Sequence, residues 1–123
     1  MAQPPLASLN YSLVKGFLAD SDETIKICAT LQALRWRLTK TRKKKIQRKV
    51  IYTFMHYDLL DCNDKNTNGA DRIVDKLLLS GDRRVLEYTM TFINALANEC
   101  LGRSYLLQKT DLVETLVSIL KKE

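Results

Sequence analysis

The sequence predicts an all-α fold built as a right-handed helical repeat, an α-solenoid of about two to three units. Three observations predict it. An apolar hexamer recurs along the chain. Long stretches place apolar residues at helical spacing, and none shows the period-two alternation of a half-buried strand. Only four glycines and two prolines interrupt the 123 residues.

The hexamer is Leu13-Val14-Lys15-Gly16-Phe17-Leu18 in its first copy, Ile73-Val74-Asp75-Lys76-Leu77-Leu78 in its second and Leu112-Val113-Glu114-Thr115-Leu116-Val117 in its third. Each reads apolar, apolar, polar, variable, apolar, apolar. The first two copies are followed by similar turns, Asp20-Ser21-Asp22 and Ser80-Gly81-Asp82, and each leads into a longer helix. Residues 1–8 are expected to be a flexible N-terminus, and 9–123 the repeat segment.

In the first long helix Ile27, Leu31, Leu34 and Leu38 fall on one face. Ser21 is expected to cap it, with Asp22 and Glu23 in the first turn, because a hydroxyl accepts an orphan amide and acids suit the positive helix end. This capping also accounts for the carboxylate pair Asp20 and Asp22. A basic linker, 39–45, leads to a third helix over about Ile46 to Leu60, with Ile46, Val50, Phe54 and Tyr57 on one stripe. The polar stretch 61–70 then reads as a loop.

After the second hexamer, Val85, Thr89, Phe92, Leu96 and Cys100 define the second long helix. Asp82 is its expected cap, and Gly102 its left-handed close. Arg103 to Lys109 is expected to form a short connecting helix, and Thr110 or Asp111 to cap the last one. That last helix carries two apolar stripes, Leu112, Leu116 and Ile119 beside Val113, Val117 and Leu120. One stripe can pack on its own unit; the other needs a further layer. Leaving several such side chains wet forfeits a few kcal/mol at roughly 25 cal/mol per Å². The expectation is therefore a fragment or short isoform of a longer array, or a chain that borrows a partner.

The net charge of +6 resembles a nucleic-acid signal until it is located. Nine of the 20 basic residues lie between Arg35 and Lys49, where there is no acid; the other eleven face 14 acids, a balance of −3. The basicity is one local feature. Lys40, Arg42, Lys43, Lys44, Lys45, Arg48 and Lys49 are the candidate site: such a density can hold phosphates, an acidic partner or acidic tubulin tails, and it resembles a nuclear-import sequence. The alternative is a solvated linker, although cations oppose the positive end of the helix they precede. Trp36, between Arg35 and Arg37, is either a base-stacking platform or an anchor for helix packing.

Nothing in the sequence forms a catalytic constellation. His56 is the only histidine, and Cys28, Cys62 and Cys100 are far apart without C-x-x-C spacing. These residues are read as structural and the thiols as reduced. There is neither a zinc-ligand spacing nor a Gly-rich phosphate cradle, so no enzyme, metal or cofactor is expected. No apolar run approaches the roughly 20 residues that span a bilayer, so membrane insertion is not expected either.

Three strings carry a family resemblance: Leu31 to Lys45 (LQALRWRLTKTRKKK), Tyr57 to Cys62 (YDLLDC), and Leu86 to Lys122, above all FINALANECLGRSYLLQKTDLVETL. Through them the chain resembles the LisH-domain family of armadillo repeat-containing protein 9. The resemblance implies an armadillo-like right-handed helical repeat. It also implies a non-catalytic, protein-binding scaffold of the cytoplasm and cytoskeleton, at the centriole or cilium basal body, that supports cilium assembly and signalling within ciliary or centriolar complexes. No LisH module is legible ahead of the repeats, and the family offers no catalytic residues. The competing reading, from another class, is a small helical module that binds nucleic acid or an acidic partner through 35–49; nucleic acid is the less favoured partner.

Overall fold

The computed structural model describes residues 10–20, 23–62, 72–109 and 111–122, without the side chains of Asp20, Leu120 and Lys122. Outside them lie the expected flexible segment 1–8, the Ser21 and Asp22 capping pair, residues 63–70 of the polar loop and the Thr110 cap. Among the described residues there are seven helices and no strand. They are α1 (Tyr11–Asp20), α2 (Thr24–Thr39), α3 (Lys44–His56), α4 (Ile73–Leu78), α5 (Arg83–Ala97), α6 (Cys100–Leu107) and α7 (Leu112–Lys122).

The helices pack like on like. The short helix α1 lies against α4, the long helix α2 against α5, and α3 against α6. One core runs through all of them, because the apolar positions that share a helical face are the ones that become buried. Leu31, Leu34 and Leu38 of α2 meet Val85, Phe92 and Leu96 of α5 in this core. An aromatic chain also crosses it: Tyr11 stacks on Tyr57 with centroids 5.3 Å apart and meets Phe54 edge-on at 6.0 Å, and Phe54 meets Phe92 at 5.9 Å. Centroids of 4.5–7 Å are the range in which such pairs add to area burial.

The hexamer behaves differently in each copy. In α1 its second and sixth residues, Val14 and Leu18, pack on the core, while its first and fifth, Leu13 and Phe17, are 55% and 38% exposed. In α4 all four apolar residues are buried. In α7 the pattern inverts: Leu112 and Leu116 pack inward, and Val113 and Val117 are 58% and 43% exposed. Only the middle copy therefore gains the roughly 1.5–3 kcal/mol that each fully buried aliphatic side chain supplies on both stripes.

Several helix boundaries differ from expectation, each for a local reason. Glu23 occupies the N-cap position of α2, without a side-chain cap hydrogen bond. Asp82 does cap α5, accepting from the N–H groups of Arg84 at 2.8 Å and Val85 at 3.3 Å, and it also accepts from Thr24 Oγ1 at 3.2 Å. The preceding turn depends on Gly81, whose φ of +82° is strained for side chains with a Cβ. Gly102 does not close α5. It lies inside α6, where a Cβ would stand 2.0 Å from the Leu96 carbonyl oxygen, so its role is to let two backbones approach. Cys100 is exposed at the start of α6 rather than lining the α5 stripe.

Candidate protein-interaction surface

The YDLLDC string is a structural lock. α3 stops at His56, and the chain then turns through Asp58 and Asp61, both in the left-handed region at φ 47° and 59°. Asp tolerates that region better than most residues. The turn is tied to later helices: Tyr105 Oη donates to Asp58 Oδ1 at 2.7 Å and accepts from the Leu60 N–H at 3.0 Å. Asp61 accepts from the Ile73 N–H at 3.0 Å, which caps α4 from a distance, and pairs with Lys15 at 3.0 Å. Lys109, fully buried, pairs with Asp75 at 3.0 Å and with Asp111. Cys62 lies in the same region; burial first, then the Asp58 charge, pushes its thiol up to about 12. Burial raises the Tyr105 hydroxyl as well. This thiol and this phenol are neutral at ordinary pH.

The cations of the basic run differ in their surroundings. Lys40 to Lys43 connect α2 and α3, and Lys44 and Lys45 open α3, whose first turn contains no acid. Arg37 is buried beside the Tyr11 hydroxyl. Lys40 sits over the Trp36 ring, 4.7 Å from its centroid. The remaining answer to the unfavourable cations at a positive helix end comes from another helix: Glu99, buried at the start of α6, accepts from Arg48 Nε at 2.9 Å and faces Lys44 Nζ at 3.9 Å. The Arg48 hydrogen bond in particular holds the Glu99 carboxyl below its ordinary value. Among the described residues, the side chains of Arg42, Lys43, Lys45 and Lys49 make no hydrogen bond or ion pair.

On α3, Lys45, Arg48, Lys49 and Tyr52 are spaced i, i+3, i+4 and i+7 and so share one face. With Lys44 and with Leu101 of α6 they line an open groove. Tyr52 is 67% exposed. Sequence reasoning missed Glu99, Tyr52 and Leu101; the i+7 step from Lys45 to Tyr52 was the available signal for one of them.

A second groove lies between the long helices. Ile25, Ala29 and Gln32 of α2 face Arg84 and Tyr88 of α5 across it. Trp36 continues the same α2 stripe at i+4 from Gln32. It is 61% exposed, so it is not the packing anchor that helical context favours. His56 is exposed and stands edge-on to Tyr57. Among the described residues no three His, Cys, Asp or Glu side chains are grouped to hold a metal ion, and no helix is long and apolar enough to cross a membrane.

No family model matches the chain, and no solved structure does. Curated relatives do. The LisH domain-containing protein ARMC9 of Mus musculus and that of Homo sapiens are each 38% identical over 120 residues, 98% of this chain and 14% of the relative. The Xenopus tropicalis protein of the same name is 32% identical over the same 98% and 14%. The chain spans about one seventh of these relatives' length; their names describe a LisH domain and no reaction. With consistent identity along almost its whole length, the chain is similar to one segment of the longer ARMC9 proteins.

Proposed function

We propose that this chain is an armadillo-like, right-handed helical-repeat segment that serves as a non-catalytic protein-binding scaffold in complexes of the centriole and ciliary base. The observation that carries this reading is the burial of the hexamer: outward on one stripe in α1, on neither in α4, and on the opposite stripe in α7. A stack of equivalent layers produces that sequence of states, since only an inner layer has neighbours on both sides. Repeat stacks present extended surfaces and bind through them. The groove between α2 and α5, with Ile25 and Tyr88 solvent-exposed along it and Trp36 exposed one turn beyond Gln32 on α2, is the surface of this scaffold.

The test is localisation and partner capture in ciliated cells. The tagged chain is expected to concentrate at centrioles, and Ile25→Asp with Trp36→Ala and Tyr88→Ala to disperse it without lowering the melting temperature. A wild-type chain spread evenly through the cell, or a triple variant that localises normally, overturns the reading.

A further inference from the structure

We infer that the groove between α3 and α6 binds an extended peptide in which acidic residues alternate with apolar ones. This inference is independent of the scaffold reading, because it concerns α3 and α6 rather than the α2/α5 face. It starts from which cations are available. Lys44 and Arg48 are answered by Glu99, and Lys40 is engaged with Trp36. Lys45 and Lys49 remain exposed on the groove with no internal anion, among the described residues, to neutralise them.

Geometry then suggests the form of the ligand. At 1.5 Å per residue, Lys45 and Lys49 are about 6 Å apart along the α3 axis. Alternate side chains of an extended peptide repeat at about 6.6 Å and point to the same side. A peptide lying along α3 therefore brings successive carboxylates to successive lysines. The intervening apolar residues point to the opposite side, where Leu101 of α6 lines the groove.

A nucleic-acid strand fits less well. It would meet the lysines through phosphates but offers Leu101 no branched aliphatic side chain. The Trp36 ring, the largest exposed aromatic near the run, already has Lys40 over one of its faces. Charge alone would hold such a strand, and that attraction weakens steeply with salt.

The test uses the full chain and fluorescence anisotropy at about 0.15 M salt. The probes are a labelled peptide of about ten alternating Glu and Leu residues, the same peptide with Ser for Leu, and an oligothymidylate of equal charge. The Glu/Leu peptide is expected to bind about tenfold more tightly than either other probe. Lys45→Glu with Lys49→Glu should weaken it about tenfold. Acids in the first turns of α3 suit the positive helix end, so the double variant should melt no lower than wild type, and Lys45→Gln with Lys49→Gln provides a second, milder variant. Equal binding of the Ser peptide means charge alone is read. Tighter binding of the oligonucleotide means nucleic acid is the ligand. Binding unchanged in both double variants, or no peptide binding, means the groove is not the site. Each of these outcomes overturns the inference.

Discussion

Arg48 donates from Nε to Oε1 of Glu99 at 2.9 Å, joining α3 to the start of α6 across 51 residues of sequence. The pair neutralises part of a cationic helix start from outside that helix. Its effect should be visible in acid. The carboxyls of Glu99, Asp82 and Asp111 are held below their ordinary values, mainly by hydrogen bonds from Arg48, the Val85 N–H and Lys109 respectively. A carboxyl with a lowered folded value stabilises the fold above its unfolded value, and that contribution is lost as pH falls through the folded one. Urea midpoints from these groups should be level above the ordinary values of 4.5 for Glu and 3.8 for Asp and decline below them. Glu99→Gln should lower the midpoint at pH 7 and make the acid decline shallower; an unchanged decline would show the pair does not couple to folding.

The buried pair of Lys109 and Asp75 gives a sharper test. Removing one partner of such a pair strands the other and costs about 3–5 kcal/mol, whereas replacing both with apolar residues is often neutral. Lys109→Ala should therefore come close to unfolding the chain, and Lys109→Met combined with Asp75→Leu should restore most of the loss. Calorimetric melting distinguishes the two, and a mild Lys109→Ala would refute the account.

Gly102→Ala should destabilise by about 3 kcal/mol, near the upper end of overpacking costs. The new Cβ meets the Leu96 carbonyl, which is backbone and cannot move aside as a side chain could. Gly16→Ala, with open space around its Cβ, should by contrast be neutral or stabilising, since alanine is the better helix former by about 1 kcal/mol. Chemical denaturation of the two variants side by side checks the contrast.

Alkylation should separate the thiols. Cys100 is exposed and should react with iodoacetamide in the native state; Cys62, buried and protonated at any ordinary pH, should react only after unfolding. Mass spectrometry of the labelled peptides with and without urea reads this directly, and rapid native labelling of Cys62 would contradict the described lock.

Leu31, Val85, Phe92 and the three hexamers were legible in the sequence because helical spacing is a local signal and burial follows it. What was not legible depends on distance. Nothing adjacent to Tyr57–Cys62 reveals that Tyr105 and Lys15 hold it. Gly102 looked like a helix end because the approach of Leu96 is a tertiary fact. The basic run looked uniform because sequence does not show that Arg37 turns inward, that Trp36 turns outward under Lys40, or that Glu99 reaches Arg48. Of the candidate site, the residues were visible and their division into engaged and available cations was not.

The three burial states of the hexamer carry a consequence for what its sequence can absorb. Because one six-residue pattern is accommodated with one stripe wet, with neither wet and with the other wet, the same short phrase serves three different surroundings. Packing and surface chemistry can then vary separately: one is held by the inward positions, the other is open to point changes on the stripes left wet.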